Sequence, residues 1–187
     1  MFKKTYLLVP ALLFLFTNCK QPKSLIQTNY GPFTFTEFDV MESSAKKMVT
    51  HHSENYSYLE DVKIDILDHK SNGASLNGFI VKPKKTGKYP IIIYNRGGNP
   101  ELSTLNAGIA VNYMAPIAAQ GYVVLATNYE GPNGGVKKEE FGGGDVIHLT
   151  NLIKDAKKLP NADSTKIGLV GISRGGMMSY LIQKEAG

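Results

Sequence analysis

The sequence has 187 residues, 42% of them hydrophobic and 20% charged, and a net charge of +5. That length suits one domain with a continuous core, and the composition excludes a disordered or fibrous chain. The charge is modest and no basic stripe is interleaved with aromatic residues, which argues against a nucleic-acid partner.

The first 19 residues read MFKKTYLLVPALLFLFTNC, with Lys3 and Lys4 ahead of an apolar run of 11 residues from Tyr6 to Phe16. A membrane-crossing helix needs about 20 apolar residues. Residues 1–18 are therefore expected to be a secretory signal peptide rather than a span. Losing its two lysines lowers the net charge to +3. Cys19 is the only cysteine, so no intrachain disulfide can form. Its place just past the apolar run resembles that of a bacterial lipoprotein signal, where the cysteine becomes the lipidated N-terminus. The residues before it, Phe16-Thr17-Asn18, depart from the usual Leu at the first position and Gly or Ala at the last. The expectation is an exported, lipid-anchored protein of the bacterial cell envelope, periplasm-facing or on the outer membrane. An incidental cysteine in an ordinary signal peptide is the alternative.

Residues 19–36 are polar with Pro22, Gly31 and Pro32, and read as a tether into a folded domain over residues 37–187. Residues 42–52 have Met41, Ala45, Met48 and Val49 at helical spacing beside them, which predicts a short helix. His51 and His52 close it; adjacent histidines diverge on a helix and make a poor metal pair. From Val62 the pattern turns to period two, and Ser71-Asn72-Gly73 supplies the Asn-Gly pair of a tight turn, so an antiparallel hairpin is expected. His69, beside that turn, reads as solvated.

The run PIIIYN at 90–95 is continuously apolar, as in a strand buried on both faces. Residues 107–120 read as a helix kinked at Pro116. A second buried strand is expected at 122–126. A helix follows over 145–159, with Leu149, Leu152, Ile153, Ala156 and Leu159 on one face and His148 at the surface of its first turn. A third buried strand is expected at 166–170. Strands alternating with helices after a hairpin mean an α/β fold: a mostly parallel sheet with helices on both sides.

Gly171-Ile172-Ser173-Arg174-Gly175-Gly176 follows that third strand directly. G-x-S-x-G is a weak signal alone, but a buried strand before it and a helical pattern after it supply the context of a nucleophile elbow. The turn strains the serine backbone, and its neighbours must lack side chains for strand and helix to approach. Ser173 would then stand at a helix N-terminus, where the dipole favours developing negative charge. A glycine-rich turn with an incidental serine is the alternative. An oxyanion needs aimed donors. The candidates are the Arg174 N–H and the loop Asn95-Arg96-Gly97-Gly98-Asn99-Pro100. The Arg174 side chain could instead make a structural salt bridge.

These motifs together resemble the catalytic domain of the prolyl oligopeptidase family. The strand at 90–94 leading to Gly97-Gly98-Asn99-Pro100 resembles that family's strand and Gly-Gly-Pro loop. Asn128-Tyr129-Glu130-Gly131 resembles its Asn-Tyr-Arg-Gly loop. Glu140-Phe141-Gly142-Gly143-Gly144-Asp145-Val146 resembles its Gly-x-x-Asp-Val helix start, and 171–176 its elbow. The resemblance implies an α/β-hydrolase fold with Ser173 as nucleophile and Arg174, Gly97 and Arg96 at the oxyanion hole. Arg96 stands where many members have His or Tyr, and Glu130 where they often have Arg. No β-propeller fits between Cys19 and the hairpin, which leaves peptide and ester substrates both open.

In α/β-hydrolases the order along the chain is Ser, then Asp or Glu, then His. His51, His52, His69 and His148 all precede Ser173. The sequence therefore reads as the first, incomplete part of such a domain, inert without its base. The rival reading is a non-catalytic exported lipoprotein that keeps the scaffold as a binding module. No metal or cofactor is expected, since Gly142-Gly143-Gly144 lacks the Lys-Ser/Thr of a phosphate loop.

Overall fold

Asn72 and Gly73 adopt positive φ, 53° and 82°, and so close the expected tight turn. They join β3 (Val62–Ser71) to β4 (Ala74–Pro83) in an antiparallel ladder running from Val62↔Pro83 to Ser71↔Ala74. The computed structural model describes residues 27–38, 56–98, 104–129 and 139–186. The signal segment, Cys19 and the 42–52 stretch with His51 and His52 lie outside the described residues.

Much of the expected tether belongs to the sheet instead. Gln27–Tyr30 forms β1 and Phe33–Glu37 forms β2, joined through Gly31 at φ 60°. β2 pairs antiparallel with β3, setting Phe33 opposite His69. Phe33 and Phe35 are buried, so the Phe-Thr-Phe-Thr alternation carries the strand period that the neighbouring Gly-Pro obscures.

The chain then builds the parallel part. β5 (Tyr89–Asn95) lies between β6 (Val123–Thr127) and β7 (Ala162–Gly171) and runs parallel to both. The full order is β1-β2-β3-β4-β6-β5-β7. Between β5 and β6 the chain forms α1 (Ala107–Ile109), a π-helical stretch (Ala110–Met114) and α2 (Ala115–Ala119). Asn106 caps α1 by accepting from the Ile109 N–H at 3.1 Å. The irregularity expected at Pro116 appears just before it: proline lacks the N–H that would bond back one turn, and the ladder widens there.

α3 (Gly144–Ala156) connects β6 to β7, and α4 (Arg174–Ala186) follows β7. The two sheet faces bury separate cores. Val62, Ile64, Val81 and Val124 pack on Val111, Met114 and Ala118. Leu67, Ile80, Ile93 and Leu125 pack on Leu149, Leu152, Met178 and Ile182. Each such Val, Leu, Ile or Met side chain contributes about 1.5–3 kcal/mol on burial.

β7 departs from expectation. Ile167 through Val170 are only half-buried, because among the described residues β7 pairs with β5 alone and forms the sheet edge. β5, β6 and β7 are parallel, so Asn95, Thr127 and Gly171 end on one side of the sheet. Open α/β sheets place their sites at these strand ends.

Candidate active site

Ser173 sits between β7 and α4 with φ of 54°, exposed to solvent. Asn72 is the other non-glycine at positive φ among the described residues. A serine there costs about 1–3 kcal/mol and persists only where the surroundings enforce it.

The surroundings do so through glycines and hydrogen bonds. A Cβ on Gly175 would fall on the Asn95 carbonyl, and one on Gly171 on the backbone of Gly175. β5 and α4 thus approach to a distance that only glycine allows. Ile172 N–H donates to the Asn95 carbonyl at 3.3 Å, and Gly175 N–H to the Ile172 carbonyl at 2.8 Å. The Asn95 amide donates to Ser179 Oγ at 2.8 Å, and that hydroxyl donates to the Gly175 carbonyl at 2.8 Å.

The loop after β5 reaches the same place. A Cβ built on Gly97 would stand 2.8 Å from the Ile172 carbonyl and 3.3 Å from Ser173 Cβ. Gly97 therefore lies against Ile172 and Ser173, and Arg174 is the next residue along the chain. Asn99 and Pro100 lie outside the described residues.

The Arg96 side chain does not join them. It is 1% exposed and turned into the core. Its Nε donates to Asn128 Oδ1 at 3.1 Å, its Nη1 to the Gly97 carbonyl at 3.1 Å, and its Nη2 to Glu139. Each of the three guanidinium nitrogens thus holds a partner within the fold. Arg174 is buried too. Its Nη1 donates to Glu139, and its Nη2 to Asp145 Oδ2 at 2.8 Å and to the Glu140 carbonyl at 3.3 Å. The structural salt bridge foreseen for it is present.

Tyr129 lies under both arginines, with ring-centroid distances of 4.6 Å to Arg96 and 4.4 Å to Arg174. Its hydroxyl donates to the Arg96 carbonyl at 3.0 Å. Burial pushes the Tyr129 phenol well up and lowers the Arg96 guanidinium, against the pull of Glu139. Burial also pushes Asp145 up to about 7, with Arg174 opposing and Glu139 reinforcing. Glu139 and Tyr129 are members of the site that sequence reasoning missed. The available signal was two arginines, Arg96 and Arg174, each set inside a glycine motif.

The two described histidines stand elsewhere. His69, expected to be solvated, is buried, with Nε2 3.1 Å from Asp155 Oδ2 and its ring 5.0 Å from Phe33. β2 and α3 cover it from both sides. His148, expected at the surface, is 4% exposed and its Nδ1 lies 3.0 Å from Ser71 Oγ. Both belong to the β3 region, four strands from β7, roughly 19 Å away at the usual strand spacing. Among the described residues no group of three His, Cys, Asp or Glu could hold a metal.

No family model matches the chain. The uncharacterized peptidase YtmA of Bacillus subtilis is 30% identical to it over 128 residues, covering 68% of this chain and 48% of YtmA. Dipeptidyl-peptidase 5 of Porphyromonas gingivalis is 32% identical over 119 residues, covering 59% of this chain and 17% of that protein. The chain thus spans about half the length of the one and less than a fifth of the other. A solved Bacteroides ovatus protein, provisionally assigned as a dipeptidyl aminopeptidase IV, matches with a TM-score of 0.56 at 22% identity, over 67% of this chain and 20% of that one. Acetyl xylan esterase 1 of Thermoanaerobacterium matches with a TM-score of 0.50 at 19% identity, over 80% and 47%. The sheet and its covering helices are those of an α/β-hydrolase.

Proposed function

We propose that this α/β-hydrolase chain is the nucleophile-bearing part of a serine hydrolase of the prolyl oligopeptidase kind, acting on peptide or ester bonds through an acyl-enzyme on Ser173. The observation that carries the reading is the exposed serine at φ 54° between a strand end and a helix start. Both sequence relatives are named peptidases, which favours peptide bonds; the structural likenesses speak only for the fold.

In this mechanism Ser173 Oγ attacks the substrate carbonyl. The first N–H groups of a helix have no partner within it, and the Arg174 N–H opens α4 directly after the nucleophile. With the Gly97 N–H across from it, it receives the negative charge that develops on the carbonyl oxygen. The helix dipole adds to that stabilisation. A serine hydroxyl is a poor nucleophile without a base, and neither His69 nor His148 reaches it. The reading assigns the base to a histidine in the part of the relatives' length that these residues do not span.

The test is turnover by the protein purified from its natural host, against dipeptidyl amide and short acyl ester substrates. Activity that vanishes in Ser173→Ala supports the reading, and the ratio of amide to ester rates assigns the bond. Equal activity in both forms removes Ser173 from the chemistry.

The same reading makes residues 1–18 an export signal and Cys19 a lipid attachment point that holds the enzyme at a membrane of the cell envelope. Incorporation of labelled palmitate that is lost in Cys19→Ala supports the tether; incorporation that persists in Cys19→Ala removes it.

A further inference from the structure

We propose that Glu139 is a positioning residue that sets both oxyanion donors at once, through Arg96 on one side and Arg174 on the other. The inference rests on the serine hydrolase reading and adds to it a residue that touches neither the substrate nor Ser173.

The argument begins with peptide geometry. A trans peptide is planar, and its N–H points opposite its C=O. Whatever holds a carbonyl therefore aims the N–H of the next residue. Tyr129 Oη holds the Arg96 carbonyl at 3.0 Å, which aims the Gly97 N–H away from the core. Arg96 Nη1 holds the Gly97 carbonyl at 3.1 Å, which fixes the following peptide as well. Gly97 has no side chain to restrict it and depends on these two bonds for its orientation.

Arg96 can do this only while its guanidinium is itself fixed. Asn128 holds Nε and Glu139 holds Nη2. Asn128 Oδ1 is shared with the Leu105 N–H at 2.9 Å, whereas Glu139 supplies the countercharge. On the other side, Arg174 is the first residue of α4 and its N–H is the second donor. Its side chain lies between the Tyr129 ring at 4.4 Å and the Phe141 ring at 4.0 Å, and its Nη1 ends on the same Glu139. The two carboxylate oxygens are divided between the arginines, Oε1 to Arg96 and Oε2 to Arg174. One carboxylate thus joins the loop after β5 to the head of α4, on either side of Ser173. Each arm is a charge-assisted hydrogen bond, stronger than a neutral one, and the two share one rigid carboxylate.

A residue that only held the fold together would change how many molecules are folded. A residue that aims donors changes how fast each folded molecule reacts. The test uses the natural full protein and compares wild type, Glu139→Gln and Glu139→Asp. Fluorophosphonate titration counts the reactive sites. Ester turnover then gives kcat per titrated site and KM, and a boronic acid inhibitor reports binding of the tetrahedral adduct. The amide of Glu139→Gln keeps the shape but loses the charge. Its kcat per site is expected to fall by about 10- to 100-fold, with KM within about threefold of wild type, as for loss of oxyanion stabilisation. Boronate affinity should fall in parallel, and Glu139→Asp should recover part of both losses.

Wild-type kcat per site in Glu139→Gln, even with fewer sites, would overturn the proposal, as would an effect confined to KM. Should Glu139→Gln not fold, the same comparison on Glu139→Asp decides. If wild type itself shows no titratable site, the hydrolase reading fails first and this inference falls with it.

Discussion

Gly97 and Ser173 face each other across the ends of β5 and β7, so closely that a single added methyl on Gly97 would lie 3.3 Å from Ser173 Cβ and 2.8 Å from the Ile172 carbonyl. The obstacle is backbone, which cannot rotate out of the way as a side chain can. Gly97→Ala should therefore displace the loop from the elbow. The expected cost is about 1–3 kcal/mol of stability, as for overpacking of a tight site. Urea denaturation measures that cost, and the rate of fluorophosphonate labelling should fall with it.

The strain at Ser173 gives a second test. Alanine at this position keeps a Cβ at φ 54°, whereas glycine does not. Ser173→Gly should be more stable than Ser173→Ala by about 1 kcal/mol, the strain of left-handed backbone in a residue with a side chain. Thermal melts of the two variants compare them directly. Equal stabilities would mean that the turn is not strained.

Asp145 predicts a pH dependence. Its folded value of about 7 stands above the ordinary aspartate value of about 3.9. Between those two values the native chain holds a proton that the unfolded chain has released. Its contribution is fully present below about pH 4 and is lost as pH rises toward 7. Asp145→Asn should remove this slope, so wild type and variant diverge in urea midpoint across that window. Parallel curves would contradict the assignment.

His69 predicts the opposite slope. Burial lowers its pKa, against the pull of the Asp155 carboxylate. The unfolded chain, titrating near 6.5, takes up a proton before the native chain does. Stability is present above about pH 6.5 and is lost as pH falls below it. His69→Gln, which can still donate to Asp155, should be less sensitive to acid than wild type. Denaturation midpoints at pH 7.5 and about pH 5.5 check this.

Much of this architecture was legible because the sequence changes period where the fold changes style. Asn72-Gly73 announced its hairpin, and the unbroken apolar runs at 90–95 and 122–126 announced strands covered on both faces. The elbow was legible because glycine was required by contacts with Asn95 that no side chain could share. What escaped was set by partners distant in sequence. Phe33 and Phe35 needed β3 to be recognised as sheet, and His69 looked solvated until β2 and α3 closed over it. β7 carried the apolar pattern of a central strand but is half-buried, pairing with β5 alone among the described residues. Arg96 sat beside the glycines where a donor was wanted. Only the fold shows its guanidinium committed to Asn128, Gly97 and Glu139. Glu139 itself offers no local pattern: its place is set by two arginines 43 and 35 residues away.

The central claim is that Ser173 is a nucleophile. Treating the natural full protein with a fluorophosphonate, digesting with trypsin and locating the adduct by mass spectrometry tests it most directly. The account predicts a modified peptide spanning residues 167–174, IGLVGISR, with the phosphonyl group on Ser173. It also predicts that heat-unfolded protein gives no adduct there. An adduct on another serine, or equal labelling of native and unfolded protein, would contradict it.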